Sequence, residues 1–596
     1  MTVSFDLEWT RQGISTLGLA WGDGHFAAAT NRDSLTLHNF LEVLRRADRI
    51  AGHNILDADI PMLAREGVDV SDLYKKSFDT RLAYYATAAH LAGTGSYDLR
   101  SVALLNNSRQ GQRFPLDWKE YASDINKTCA MDACAVSWIV PTLDRVIKNN
   151  KLEATVDILH KVAPIFQQMQ VQGVKLDRGI LEAIHKDRKQ RTEACIERYH
   201  LWEERGKKKI KRVPIWRSNK ILDICEQQFG FRPKDRQRKT WEKLLNKPMS
   251  AEAKEFVEAI VDLGKGQNDA HWLGQATETD DGIDFSKVSD SGFIHPRYDI
   301  CGSPDRAIAS GPNIQNFPRP SDDPRDVKLR SAIVPLHPDH VLLGADYSSL
   351  ETITNALESN DTKRAIAVLE KRLTHEGVAA LINNTFGLTL SRNQGKAVGH
   401  GLDKGESPYN LARTLFKTER PSRQQVTQCQ EIMMRMLSEF PEMSKFRNAL
   451  WERAQANPLV VTNRFGRRLM CFSRSKYGDS GNSFAKHQAD KRYWCPCSVC
   501  SPRRDRFKYA VAFLGRSSGF DALLRVMSKV WYEKRLDSFS LPMIECHDEL
   551  VYSIPKDRVG HYAKILKETM EEPFQELNDF SLPSNVTWGT SWAEAH

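Results

Sequence analysis

The sequence predicts a multidomain protein of mixed class, an α/β unit followed by a larger α+β body. Three observations lead there. A chain of 596 residues is long enough for two to four domains with sizeable cores. It opens on an alternating strand, Val3–Trp9, and stretches of helical pattern follow. Far downstream, two short apolar runs about 200 residues apart each end in a carboxylate at a turn, Asp346 and Asp548.

Composition narrows the class. The formal net charge is +9, compatible with a polyanionic partner. No apolar run reaches the roughly 18 residues of a membrane span. Met1-Thr2-Val3-Ser4-Phe5-Asp6 lacks the basic start and apolar core of a signal peptide, so the expected location is the cytoplasm. Most of the 11 cysteines are scattered, as reduced thiols are. Cys495, Cys497 and Cys500 are the exception. Cys497 and Cys500 have the spacing of a tetrahedral site, Cys495 is adjacent, and Cys471 or His487 completes four ligands for Zn²⁺. Free surface thiols are the alternative.

In the first strand the period of two puts Asp6 and Glu8 on one face, where two acids need a cation or solvent between them. Helices are predicted to begin at Phe78–Ala83 and at Tyr97–Ala103. Cys129–Val136 places Asp132 on an otherwise apolar helix. Another helix runs from Glu153 towards Asp177 and breaks at Gly173. The following region, predicted mainly helical, holds the basic runs Arg205–Arg212 and Arg232–Lys239, each followed by a tryptophan, Trp216 and Trp241. Gripping a phosphate backbone is the favoured reading of these runs, over a solvated face.

Ser310–Pro318 is a polar run bracketed by prolines. It cannot be helical, which leaves its amides and side chains free to meet a ligand. Val341–Asp346 reads as a buried strand, followed by an amphipathic segment on Leu350, Ile353 and Leu357. Met543–Cys546 and Leu550–Ile554 form a predicted hairpin with His547, Asp548 and Glu549 at its turn, able to lie beside Asp346. Two carboxylates brought together repel unless cations separate them. Two metals about 4 Å apart would clamp the attacking and leaving oxygens of a phosphoryl transfer. Taken singly, Asp346 is equally a helix cap and Asp548 a turn residue. Between them, Arg392, Lys396, His400 and Lys404 recur every fourth residue and form one helical stripe. Stacked cations destabilise a helix, and Gly395, Gly399 and Gly401 each cost about 1 kcal/mol more. A bound triphosphate would compensate.

These motifs carry resemblances over nearly the whole chain. Residues 1–148 resemble the DEDD 3′→5′ exonuclease domain: Asp6 and Glu8 match its first acidic motif, Asp59 its second and Asp132 its third. Asn54 and Asp59 are one residue further apart than usual, leaving Asp57 as a rival, and Thr128 stands where the family places a tyrosine. The resemblance implies a ribonuclease-H-like fold and metal-dependent hydrolysis of a 3′-terminal phosphodiester.

Residues 149–596 resemble family A DNA polymerases of the bacteriophage type, which implies a right-hand fold. The thumb would span about 178–300, the palm about 301–358 and 510–596, and the fingers about 359–509. The resemblance implies that Arg306, Asn313 and Gln315 bind template and primer, and that Arg392 and Lys396 hold the nucleotide's phosphates. Asp346 and Asp548 would hold two Mg²⁺, and Glu351 would crowd a ribose 2′-hydroxyl. His547 and Glu549 would shape the primer terminus. His400 stands where the family has Phe or Tyr, and Lys404 where it has Tyr. Lys508, Ala512 and Arg516 replace its Arg, Asn and Gln. Arg330, Asn463–Arg468 and Trp588–Trp592 extend the match. The implied activity is template-directed DNA synthesis from dNTPs on primer–template DNA, with proofreading. Phage helicase–primase and single-strand-binding protein are the implied partners. Two rival readings are a single-subunit RNA polymerase and a non-enzymatic nucleic-acid-binding protein on the same scaffold. The acids of the first domain and Glu351 count against the former, and the intact pair Asp346 and Asp548 against the latter.

Overall fold

A computed structural model describes the chain outside residues 23–25, 90–96, 104–116, 206–210, 215–217, 246, 267–272, 280–281, 319–328 and 473–500. The N-terminal sheet has the strand order β3-β2-β1-β4-β5, with β1 Thr2–Thr10, β2 Gly13–Trp21, β3 Phe26–Asn31, β4 Arg49–Gly52 and β5 Ser77–Asp79. The first three strands are antiparallel, and β1, β4 and β5 are parallel, as the ribonuclease-H-like expectation requires. Val3, Phe5 and Leu7 of β1 are buried, while Asp6 and Glu8 fall on the other, half-buried face. The helix Ile125–Asn150 lies across β1 and β2 and brings Asp132 to that face.

The C-terminal sheet is fully antiparallel. Its central strand, His340–Tyr347, is flanked by Glu549–Pro555 on one side and Ser584–Gly589 on the other, with Ile544–Cys546 outermost. Every residue of the central strand is buried except Asp346. Two helices support it. Leu350–Glu358 follows the strand and packs along the 32-residue helix Ser501–Tyr532. Their contact is close at Gly515, where a Cβ would come within 2.4 Å of the Asn355 side chain. Thr354 Oγ1 uses that approach to donate to the Gly515 carbonyl at 2.8 Å.

The region after the helix Glu153–Gln172 holds the helices Arg178–Arg198, Lys220–Phe229, Arg238–Leu244 and Ala251–Gly266. It also carries two hairpins, Trp202–Arg205 with Lys211–Pro214 and Ala276–Thr279 with Gly282–Phe285. The first hairpin takes up the ends of the first basic run. Trp241, expected beside a phosphate backbone, is instead 2% exposed in a small separate core with Phe256, Val257 and Ile260. An aromatic that size closes a core of this scale better than it serves a surface. Arg232 of the second run is paired with Asp223 and Glu226 at 2.7 and 2.6 Å.

Candidate active site

The antiparallel register sets Asp346 opposite Glu549, so the neighbouring Asp548 stands at the end of the same sheet. The Tyr347 amide donates to the Asp548 carbonyl at 3.1 Å, fastening the hairpin turn to the strand end. His547 adopts φ +68°, the left-handed conformation that turns the chain between the two hairpin strands. Its amide donates to the buried Glu545 carboxylate at 2.9 Å, and Gln315 Nε2 donates to the same group at 2.8 Å. Burial pushes Glu545 up to about 7.

Two expected contact residues turn away from this edge. Gln315 is buried: its amide oxygen accepts from Ala309 N at 2.9 Å and its amide nitrogen donates to Ala307 and Glu545. Its side chain therefore holds the loop in shape instead of meeting a ligand. Glu549 is also buried, accepting from Trp592 Nε1 at 2.9 Å, with His596 Nδ1 at 3.1 Å. Arg330 stacks over the Trp592 ring at 3.8 Å. Glu549 shares a sheet face with its cross-strand partner Asp346, but its own partners at the chain terminus bury it, and it secures the end of the chain. Asn313 remains in the loop, with Oδ1 buried and without a partner among the described residues.

Arg392, Lys396 and His400 do share one helix, Arg392–Asp403, with Lys404 as its C-cap. The helix owes part of its existence to packing. A Cβ at Gly395 would lie 2.1 Å from the His375 carbonyl, so glycine admits the neighbouring helix His375–Phe386. Arg392 pairs with Glu376 on that helix at 2.5 Å. These contacts supply compensation that the sequence suggested a triphosphate would give. A cavity of about 260 Å³ is lined by Arg392, His375 and His400 from this side and by Ser349 and Thr352 from the turn and helix that follow Asp346. His375, whose ring centroid lies 5.7 Å from that of His400, was missed in the sequence. Its placement at the start of the helix before the stripe was the available signal.

Glu351 faces the same region. Burial, then the Asp403 charge, raises its carboxyl above the usual range, while Lys404, Arg516 and Arg306 oppose this. Thus Glu351, Lys404 and Arg306 are brought together. Arg516 is committed to Asp305 at 3.0 Å and is less available for a ligand than its sequence position suggested.

The second acidic cluster is in the N-terminal unit. Carboxylate oxygens of Asp6, Glu8 and Asp132 lie within 4.8 Å of one another. Asp59 accepts the Leu7 amide at 3.1 Å, and its charge acts on Asp6. Asp57 is exposed and accepts from Gln170 instead, at 3.0 Å, while the charge of buried Asp59 acts on Asp6. Burial and mutual repulsion raise Asp6 well above the usual carboxylate range, and burial pushes Asp59 up to about 8. Glu8 and Asp132 are raised by burial as well. Carboxylates that resist ionisation together make an oxygen-donor set suited to hard divalent cations, which remove the repulsion. Thr128 stands one turn before Asp132 on the same helix. Trp118 Nε1 donates to Asp132 Oδ1 at 2.5 Å, a partner no sequence motif disclosed.

Cys495, Cys497, Cys500 and His487 lie outside the described residues. Cys471 is buried at the end of the strand Arg468–Cys471, and burial pushes its thiol up to about 12.

An antiparallel sheet with Asp346 and Asp548 at one end, a helix bearing Arg392, Lys396 and His400, and an N-terminal sheet with its own acid cluster make up a polymerase-like architecture. The family model for DNA polymerase family A matches residues 232–594, more than half of the chain, and the chain belongs to that family. It is 22% identical to DNA polymerase I of Streptococcus pneumoniae (strain ATCC BAA-255 / R6), over 97% of this chain and 62% of that protein. It is also 22% identical to DNA polymerase I of Geobacillus stearothermophilus, over 76% of this chain and 48% of that one. The chain therefore spans about half to three-fifths of the length of these curated relatives. The POL domain of Pol1 from M. smegmatis, solved in complex with DNA primer-template and dNTP, superposes with a TM-score of 0.74 at 18% identity. That match covers 100% of this chain and 96% of the other, and gives the right-hand fold. No helix among the described residues is long and apolar enough to cross a membrane.

Proposed function

We propose that the protein is a template-directed DNA polymerase, extending a primer 3′ end with dNTPs. The observation that supports this best is the cavity shared by the segment after Asp346 and by Arg392 and His400. It sets a cationic helix against the first residues after the strand that carries Asp346, a placement suited to holding a triphosphate near that strand end. Asp346 and Asp548 are the residues that would hold Mg²⁺, which when bound activates the primer hydroxyl and offsets phosphate charge. Arg392 and Lys396 bind the phosphates and stabilise charge on the leaving pyrophosphate. Glu351 excludes the 2′-hydroxyl of a ribonucleotide, while Arg306, Asn313 and His547 meet primer and template. The thumb, palm and fingers follow the boundaries given above, and replication of a bacteriophage genome in the host cytoplasm, beside its helicase–primase and single-strand-binding protein, is the setting that fits the resemblance. Primer extension on a recessed duplex, with dNTPs and rNTPs in parallel, tests the reading. Extension with dNTPs alone is expected; no extension with either overturns it.

A second reading concerns residues 1–148. The gathering of Asp6, Glu8, Asp59 and Asp132 supports a 3′→5′ exonuclease on a divalent-metal site. Release of mononucleotides from a 3′-labelled single strand is expected, and activity surviving Asp6→Ala would overturn this assignment.

A further inference from the structure

Asp403 ends the helix that carries Arg392, Lys396 and His400, yet it is 1% exposed. Arg364 Nη2 donates to its Oδ1 at 2.6 Å, and Thr352 Oγ1 donates to its Oδ2 at 2.7 Å. Asn355 Nδ2 donates to its main-chain oxygen at 3.4 Å. One residue earlier, buried Arg447 donates to the Leu402 carbonyl. Two cations therefore complete the C-terminal turn, where helix carbonyls and the macrodipole favour positive charge. Thr352 and Asn355 both belong to the helix Leu350–Glu358, whose second residue is Glu351. The last turn of one helix is thus bolted to the first turns of the other.

A buried ion pair is a poor device for stability, since apolar side chains of similar volume do as well or better. What it provides is a fixed geometry: a carboxylate with both oxygens engaged admits one arrangement of its partners. Here the arrangement sets how far the phosphate-binding stripe stands from Glu351. We propose that Asp403 is a positioning residue for sugar selection, holding the phosphate-binding helix and the Glu351 helix at the separation that admits a 2′-deoxyribose and crowds out a ribose. The inference rests on the polymerase reading above. The Asp403 charge reaches Glu351 directly, consistent with the two being neighbours across this joint. Asp346 and Asp548 stand on the sheet, outside the joint, so loosening it acts on nucleotide fit more than on the chemical step.

The test uses the full chain and three variants. Arg364→Leu/Asp403→Leu removes both partners of the pair, Asp403→Asn keeps shape and loses charge, and Thr352→Val cuts the side-chain bond to the Glu351 helix with little change of shape at the cavity wall. Urea midpoints and steady-state primer extension with dNTP and rNTP are measured for each. The double variant is expected to keep a midpoint near that of the unmodified protein. Its dNTP KM should rise and its discrimination against rNTP fall, each about tenfold, the effect of one lost hydrogen bond. Its kcat should change less, and Thr352→Val should shift discrimination the same way. A purely structural pair would move the midpoint and leave discrimination alone. Unmodified protein that extends primers, beside a double variant with unchanged KM and discrimination, overturns this inference alone. Unmodified protein inert toward dNTPs overturns the polymerase reading and this inference with it.

Discussion

At the residue scale, Asp548, His400 and Thr128 each carry one separable task. Asp548 is half-exposed at the strand end, and its main chain already serves the fold through the Tyr347 amide. Asp548→Asn keeps that bond and removes only carboxylate charge. Nucleotide incorporation should fall by at least about 10³-fold while primer–template affinity holds; robust extension by this variant would remove Asp548 from the site. His400 is a histidine that burial, with Lys404 and Lys396 beside it, holds below its ordinary 6.5, against the pull of Asp403. In the free protein it is neutral at pH 7, and a pKa lowered this way puts its charging entirely on the acid side. The dNTP KM of unmodified protein and of His400→Phe should run parallel from pH 7 to 8.5 and diverge only below 6.5. Divergence confined to the alkaline side would contradict the assignment. Thr128 is too short to offer the hydroxyl that a tyrosine would at that turn. Losing one positioned donor costs about 10²–10³-fold, so Thr128→Tyr should speed hydrolysis of single-stranded DNA and leave polymerisation unchanged. A fast unmodified exonuclease, indifferent to Thr128→Tyr, would refute this.

At the element scale, the helix Leu350–Glu358 is the joint of the molecule, with the sheet at one end and the Asn463–Arg468 turn at the other. Glu358 closes it. Its buried carboxyl accepts the Arg464 amide at 2.9 Å and the Ser518 hydroxyl, and burial pushes it up to about 7. The sign follows from linkage. Between 4.5 and about 7 the folded state binds the proton more tightly than the unfolded state, so stability falls as pH rises through that window. A difference of 7 − 4.5 units corresponds to a cost on the order of 3 kcal/mol, fully present above pH 7. Glu358→Gln cannot ionise. Relative to unmodified protein, its urea-unfolding free energy should improve by about 1–3 kcal/mol between pH 5 and pH 8, and an equal difference at both values would show that Glu358 stays charged without penalty.

At the scale of the whole molecule, the N-terminal unit is tied to the rest through a buried arginine. Arg467 holds Asp521 of the long helix through Nε and Nη2, the shortest contact 2.5 Å, and donates from Nη1 to Tyr85 OH at 3.2 Å. Arg81 adds a more exposed link to Asp299 at 2.9 Å. Asp521→Ala would leave the Arg467 guanidinium buried without its counter-charge, a loss of about 3–5 kcal/mol. Chemical denaturation should register it, with protease cleavage of the N-terminal unit appearing at lower urea. Arg81→Ala, at a partly exposed pair, should barely move either curve. Equal sensitivity of the two variants would mean that Arg467 is not the principal tie.

Features that depend on local periodicity were legible in the residues alone. Alternation put Asp6 and Glu8 on one strand face, a four-residue repeat put Arg392, Lys396 and His400 on one helix, and an apolar run placed Asp346 at a strand end. A backbone of fixed geometry converts these spacings into shared faces with little help from the rest of the chain. Which polar groups turn toward the core followed from packing across the fold. It set Asp59 against the Leu7 amide and Asp57 against Gln170, turned Gln315 and Glu549 inward, closed a small core with Trp241, gave Gly395 a packing role, and joined Asp403 to Arg364 across 39 residues. Each of these outcomes is set by a partner distant in the chain. The free energy of burying a polar group turns on whether that partner arrives within hydrogen-bonding distance, and residue spacing carries no record of it.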